Sequence, residues 1–233
     1  MLAMQPYRVV MKAVSPAVIS GIAPSLDGIL YEALSQALAT DEPEIIHARL
    51  REIVLFNNEL GVFHTSSLTF GITPEQGVSA VSSIRCDGLN DEKLSSSMFN
   101  PRRHGGKFTP LMLKGGPTKQ RLTSRPAYTA PYYSFDFFGD RDTVLRLLTT
   151  AFVGVGYDFF SAANGEFSET RIIPLDEDSS IDVNGDAMRP VPVTSGLRGV
   201  SGFSPLVPPY FYGEREAVIF PEPVRFRLLS ELL

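Results

Sequence analysis

The stretch Tyr132 to Gly156, YYSFDFFGDRDTVLRLLTTAFVGVG, decides how the rest of the chain is read. Its opening run, Tyr132 to Phe138, is rich in aromatics and alternates in polarity, the pattern of a strand laid against a core. Asp140 then stands where a helix N-cap belongs, and Asp142 complements the helix dipole. Val144, Leu145, Leu147, Leu148, Ala151 and Phe152 recur at helical spacing as one apolar face, and Gly154 is placed to stop the helix. A glycine-bearing connection, GVGYDFFSAANG from Gly154 to Gly165, leads to a further predicted strand, Glu166 to Leu175. The stretch therefore predicts a strand, a helix and a second strand.

A similar order precedes it. Tyr7 to Val14 (YRVVMKAV) reads as a strand ended by Ser15-Pro16. A helix follows, with Ser25 as its cap and Leu26, Ile29, Leu30, Ala33, Leu34, Ala37 and Leu38 along one face. Pro43 to Glu52 predicts a short helix. Val62 to Phe70 (VFHTSSLTF) and Val78 to Cys86 read as two strands joined by a turn. The order strand, helix, strand, strand, then strand, helix, strand approximates the split βαβ unit of ferredoxin-like folds. The fold class is thus α+β, with helices on one face of an antiparallel sheet. In RRM-like relatives of that fold the open sheet face is a platform for single-stranded RNA. Past Leu175, an Asn184-Gly185 hairpin signal, several prolines and the strand-like Ala217 to Leu229 predict a β-rich C-terminal extension over residues 176–233. One domain over residues 1–233 is expected, with a long insertion at 88–130.

That insertion carries the chain's charge anomaly. Eight of the 21 Lys and Arg residues, and none of the 26 Asp and Glu, fall between Lys93 and Phe135, in a protein whose net charge is −5. Periodicity disappears there, while Gly105-Gly106, Gly115-Gly116 and Pro101, Pro110, Pro117 and Pro126 accumulate, so the segment predicts an excursion with room for a hairpin. Segregated positive charge is the footprint of a site for a polyanion. Arg102, Arg103, His104, Lys107, Lys114, Lys119, Arg121 and Arg125 are candidates to neutralise phosphates, and Phe99, Phe108 and Tyr128 to stack on unpaired bases. Tyr132 and Tyr133 follow directly. The competing reading is a solvated loop whose bases pair with the acidic remainder.

Other chemistries find little purchase. Cys86, the single cysteine, permits no internal disulfide and no cysteine zinc cluster, which predicts a reducing compartment. Ala13 to Ala23 follows Arg8 and Lys12 as a signal peptide would, but Ser15, Pro16, Ser20 and Gly21 interrupt it, and a cytoplasmic location is expected. No apolar run reaches the roughly 18 residues of a membrane span. Asp176, Glu177, Asp178, Asp182 and Asp186 do not follow calcium-loop spacing and predict a solvated hairpin. Gly154-Val155-Gly156 is too sparse for a dinucleotide fingerprint, no Walker lysine motif occurs, and Ser66, Ser67 and Ser95 to Ser97 lack a nucleophile elbow. His104, with His64 or a tyrosine, could serve acid/base cleavage of RNA. His47 is expected on a surface helix.

The opening strand, SLDGILYEAL at Ser25 to Leu34, VFHTSSLTF, the basic excursion and FDFFGDRDTVLRLLTTAFVGVG together resemble CRISPR-associated RAMP proteins over about residues 7–175. The resemblance points to the subunit of type IV effector complexes that is similar to the crRNA 5′-handle-binding RAMP subunit of type I complexes. It implies a ferredoxin-like core whose glycine-rich connection, here Gly154, Gly156 and Gly165, lies near RNA backbone. It also implies a basic hairpin or thumb, here Lys93 to Arg125, that holds crRNA and meets a neighbouring backbone subunit. Tyr157, Asp158, Phe159 and Phe160 occupy a connection that the family makes more basic, so the excursion carries the weight. The leading expectation is a non-catalytic crRNA-binding subunit that caps a ribonucleoprotein filament. Its implied partners are crRNA, the backbone RAMP subunit and the large subunit of the effector complex; contact with target DNA is left open. No membrane partner, cofactor, metal or catalytic residue is expected. Two alternatives stay open: a metal-independent endoribonuclease of the same superfamily using His104 or His64, and a ferredoxin-like protein without nucleic-acid function.

Overall fold

The structure is a computed structural model and describes residues 4–19, 23–87, 102–104, 107–109, 121–151, 153–156, 164–211 and 213–233, with backbone alone at 83–87, 102–104, 107–109 and 121–123. Four strands build the central sheet: β1 (Gln5–Ala13), β2 (Thr69–Ile72), β3 (Tyr132–Gly139) and β4 (Phe167–Pro174). They lie in the order β4-β1-β3-β2, and every neighbouring pair is antiparallel. Helix α1 (Leu26–Leu38) lies between β1 and β2 in the chain, and α3 (Arg141–Thr150) between β3 and β4. Two split βαβ units interleaved in this order make the ferredoxin-like topology. A fifth strand, β5 (Phe226–Leu228), returns from the C-terminal extension and pairs in parallel with β2.

Side-chain alternation explains which sheet face the helices cover. Tyr7, Val9 and Met11 of β1, Phe70 of β2, Tyr133, Phe135 and Phe137 of β3 and Ile172 of β4 all point into one apolar cluster. Leu26, Ile29, Leu30, Ala33 and Leu34 of α1 join them, with Ile46, Leu50 and Ile53 of α2 (Pro43–Ile53) and Val144, Leu147 and Leu148 of α3. The stripe on α1 ends one turn earlier than its spacing predicts, because Ala37 and Leu38 emerge into solvent. At α3 the Asp140 carboxylate accepts from the Asp142 amide at 3.1 Å, as a side-chain N-cap should. Ser25 occupies the N-cap position of α1, but its hydroxyl bonds Asp27 instead of a backbone amide. Gly154 is not the stop for α3, whose last helical residue is Thr150.

Gly139 ends β3 where α2 passes closest. A Cβ there would overlap the Ile53 carbonyl oxygen and lie 3.2 Å from the Cα of Val54. Because those atoms are backbone, Gly139→Ala is expected to cost ~1–3 kcal/mol in urea denaturation, the usual range for overpacking; an unchanged midpoint would show that the contact relaxes freely.

Two expectations change. Val62 to Phe70 is not one strand: Val62–Phe63 forms a short hairpin with Phe56–Asn57, and the chain enters the central sheet only at Thr69. In between, the Ser66 amide donates to the Asp136 carbonyl and the Leu68 amide to that of Pro24, so successive backbone groups serve different partners. The second change concerns the face expected to be open. Arg8 and Asp136, on the face opposite the helices, form a two-pronged ion pair at 2.6 and 2.9 Å with both side chains buried. The carbonyl of Glu231 in α4 (Leu229–Leu232) accepts from Arg8, and Ser179 donates to Asp136 at 2.7 Å. Leu232 sits against Gly71. The C-terminal extension therefore covers the middle of this face, which is not open as expected.

The extension has its own small core. Val191–Pro192, Glu216–Phe220 and Val200–Ser204 form a three-stranded sheet in that spatial order, and Val62, Ile181, Ala187, Val191, Leu206 and Val218 pack together. Asn184 and Gly185 adopt φ of 53° and 83° between Asp182–Val183 and Asp186–Ala187, the paired left-handed residues of the predicted tight hairpin.

Candidate nucleic-acid interface

The end of the basic segment lies on a two-stranded arm. Strands Ser79–Asp87 and Arg121–Thr129 pair antiparallel along their full length, from Ser79 opposite Thr129 to Asp87 opposite Arg121. Ser79–Asp87, which its pattern assigns to the core sheet, thus belongs to the arm and not to the central sheet. Short runs with Val, Ile and small residues suit a strand in either sheet, so local sequence does not distinguish the two. Between the arm strands, Arg102–His104 pairs with Lys107–Thr109, Arg103 opposite Phe108 and His104 opposite Lys107.

The root of the arm is tied to the core. Ala17–Val18 adds a short third strand, with Ala17 opposite Tyr128 and Val18 opposite Ala127. The Tyr128 ring lies 6.1 Å from that of Phe70 and packs against the main core. Tyr128 is therefore half-buried and acts as an anchor for the arm. Tyr133 is wholly buried, its hydroxyl donating to the Ser15 carbonyl at 2.5 Å, and burial pushes its phenol far up. Arg125 lies on the arm opposite Ser83, half-buried. Arg121 stands on the arm opposite Asp87, and the backbone positions of Arg102, Arg103, His104, Lys107 and Phe108 are on the separate two-stranded hairpin; Phe99, Lys114 and Lys119 lie outside the described residues.

The glycines of the connection after α3 are used internally. The Gly156 amide donates to the Asn164 carbonyl at 2.8 Å, Val155 to Gly165 at 3.1 Å, and Gly165 to Pro16 at 2.9 Å. A Cβ at Gly154 would overlap the carbonyl oxygen of Asn164. These glycines permit two backbone segments to touch, and the amides of Val155, Gly156 and Gly165 are not available to cradle a phosphate. Tyr157, Asp158, Phe159 and Phe160 lie outside the described residues.

His47 and His64 have different partners. His47 holds the Pro208 carbonyl through Nε2 at 2.5 Å. His64 Nδ1 lies 2.6 Å from Asp178 Oδ2, with 17% and 25% of the two side chains exposed. Burial pushes the Asp178 carboxyl up, but hydrogen bonds from His64 and Ser180 outweigh it and hold the group below its ordinary 3.8. A carboxyl depressed by folding contributes stability above its ordinary value and loses it as pH falls through the depressed one. Asp178→Asn is therefore expected to lower the urea midpoint near neutrality, with the deficit closing below about pH 4; a deficit independent of pH would mean that packing, not charge, supplies the effect.

A buried polar network that the sequence did not signal fastens the extension to α1. Arg189 is completely buried and donates to the carbonyls of Phe63 (2.5 Å), Leu206 (2.9 Å) and Pro190 (3.3 Å), to Thr65 Oγ1 (2.9 Å), to Asp27 Oδ2 (3.1 Å) and to the Tyr210 hydroxyl (3.0 Å). Burial opposes the guanidinium charge, but Asp27 and Tyr210 more than compensate, and Arg189 stays protonated. Burial and the Asp27 carboxylate together push the Tyr210 phenol well above its ordinary value. No three His, Cys, Asp or Glu residues gather to hold a metal among the described residues, and no described helix is long and apolar enough to cross a membrane.

No family model and no curated protein matches this sequence. Among solved structures, a chain in the cryo-EM structure of the Type III-B Cmr-beta bound to cognate target RNA is similar over 73% of this chain and 61% of that one, with 14% identity and a TM-score of 0.36. The present chain thus spans less than two thirds of that relative's length.

Proposed function

We propose that this protein is a non-catalytic RNA-binding subunit of a CRISPR ribonucleoprotein, of type IV, that holds the 5′ handle of crRNA and caps the backbone filament in the cytoplasm. The observation that carries the reading is the arm. A ferredoxin-like core extends a long two-stranded arm, and the sequence from Lys93 to Phe135, which starts between its strands and runs along the second, holds eight bases and no acids. A sequence segment of cations interspersed with glycines suits the backbone of a flexible polyanion, whose phosphates it would neutralise. The covering of the middle of the sheet face supports assigning RNA to the arm instead of to the sheet. Neighbouring backbone and large subunits would meet the arm and the extension.

The test is to purify the chain from its host and sequence any RNA it carries. Repeat-derived 5′ handles are expected, together with companion subunits. Purified protein incubated with repeat RNA without metal should protect it from added nuclease and leave it uncut. Cleavage abolished by His104→Ala or His64→Ala would replace this reading with the endoribonuclease one, for which the His64 and Asp178 pair supplies an oriented imidazole. A preparation free of nucleic acid that binds no RNA would leave a ferredoxin-like protein of other use.

A further inference from the structure

Two adjoining cavities of about 300 and 550 Å³ open where the C-terminal extension meets the central sheet, and both are lined by Met188, Glu222, Arg225 and Arg227. The smaller also touches Thr69, and the larger Arg198. Arg225 is held firmly: one terminal nitrogen donates to the carbonyls of Ser67 at 2.6 Å and Met188 at 3.2 Å, the other to the Met188 sulfur at 2.8 Å. Its Nε–H is buried and has no partner. A buried donor left unsatisfied costs ~1–3 kcal/mol, so such a group marks a place where an acceptor is missing.

The charges around it are also unbalanced. Burial first, and the neighbouring Arg227 guanidinium second, push Arg225 down to about 10, which still leaves it charged at neutral pH. The nearby carboxylates are mostly committed elsewhere. Asp136 lies 4.0 Å from Arg227 but already holds Arg8 and Ser179, and Asp186 pairs with Arg198 at 2.7 Å. Glu222, exposed at the rim, is the remaining acid of the lining. The smaller cavity is therefore lined by two guanidinium groups and a single carboxylate, and the larger adds only the Asp186–Arg198 pair.

We infer that this cavity binds a phosphate group, received by the Nε–H of Arg225 and the guanidinium of Arg227. Guanidinium forks match phosphate oxygens in geometry as well as charge. The space reaches the lower end of small-molecule sites, roughly 300–1,000 Å³, so it accommodates the phosphate of a nucleotide or RNA end as well as the free ion. The site is remote in sequence from the arm and does not rest on the reading proposed for the arm.

Titration calorimetry of the full chain with adenosine 5′-monophosphate, inorganic phosphate and acetate tests it, alongside the proton–nitrogen signal of Arg225 Nε. Both phosphates should bind and shift that signal, and acetate should not. A tighter monophosphate identifies a phosphoester as the source, and equal affinities identify the free ion. Arg227→Gln, which leaves Arg225 anchored, should weaken binding at least tenfold with the urea midpoint unchanged, and Glu222→Gln should tighten it severalfold. An Arg102→Ala, Arg103→Ala, Lys107→Ala protein should bind the monophosphate as the parent does even if RNA binding is lost. An unmoved Nε signal, an equal response to acetate, or full affinity in Arg227→Gln would overturn the assignment and leave water as the partner of Arg225.

Discussion

Replacing Arg102, Arg103, Lys107 and Arg121 together by alanine is expected to lower the affinity for single-stranded RNA on the order of 100-fold or more at about 0.1 M salt, through counterions no longer released. The fold should survive the change. Arg121 lies on an arm strand and Arg102, Arg103 and Lys107 on a separate two-stranded hairpin, while the principal core is assembled from β1, β2, β3, β4 and the helices on them. The urea midpoint should therefore stay within about 0.5 kcal/mol of the parent, as for surface substitutions generally. Affinity lost together with the midpoint would instead make the arm part of the folding unit. Restoring charge with lysine at the four positions should recover most of the binding if phosphates are met as point charges, and little of it if the arginines act as forks.

The largest effect on stability is expected at Arg189. Arg189→Ala removes one side chain and strands the carbonyls of Phe63 and Leu206, the Thr65 hydroxyl and a fully buried Asp27. Breaking a buried ion pair from one side costs ~3–5 kcal/mol, because the surviving charge keeps its desolvation without its partner. Asp27 retains the Tyr210 hydroxyl at 2.8 and 2.9 Å and the Gly28 amide at 3.0 Å, which places the loss toward the lower end of that range. Urea denaturation measures the total, and hydrogen exchange should show residues 189–210 opening first. A loss below about 1 kcal/mol would mean that the network relaxes around the gap or that water replaces the guanidinium.

The two predictions fall on opposite sides of what sequence makes visible. β1, α1, α2, β3, α3 and β4 were legible because each is a local pattern: alternation in YYSFDFF, helical spacing in Val144, Leu147 and Leu148, an aspartate at the cap. The arm's charge was legible because it is compositional. Partner choice was not, since Ser79–Asp87 reads as a strand whether it pairs with the core or with Arg121–Thr129. The covered sheet face was hidden for a related reason. Strand alternation puts Arg8 and Asp136 on the face away from the helices, and only a partner 128 residues away together with a chain end folding back over them makes them buried. Arg189 lies between Met188 and Pro190 in a tail without periodicity, so nothing local announced its burial. The glycines after α3 carried a signal of close approach, and the approach is between two segments of this chain.

The central claim is that the arm meets RNA through several phosphates at once. Binding of the intact chain to a single-stranded RNA, measured between about 50 and 200 mM salt, tests this most directly. Four to six contacts predict that log K falls with log salt at a slope of roughly −3 to −4. A slope near zero would contradict the account.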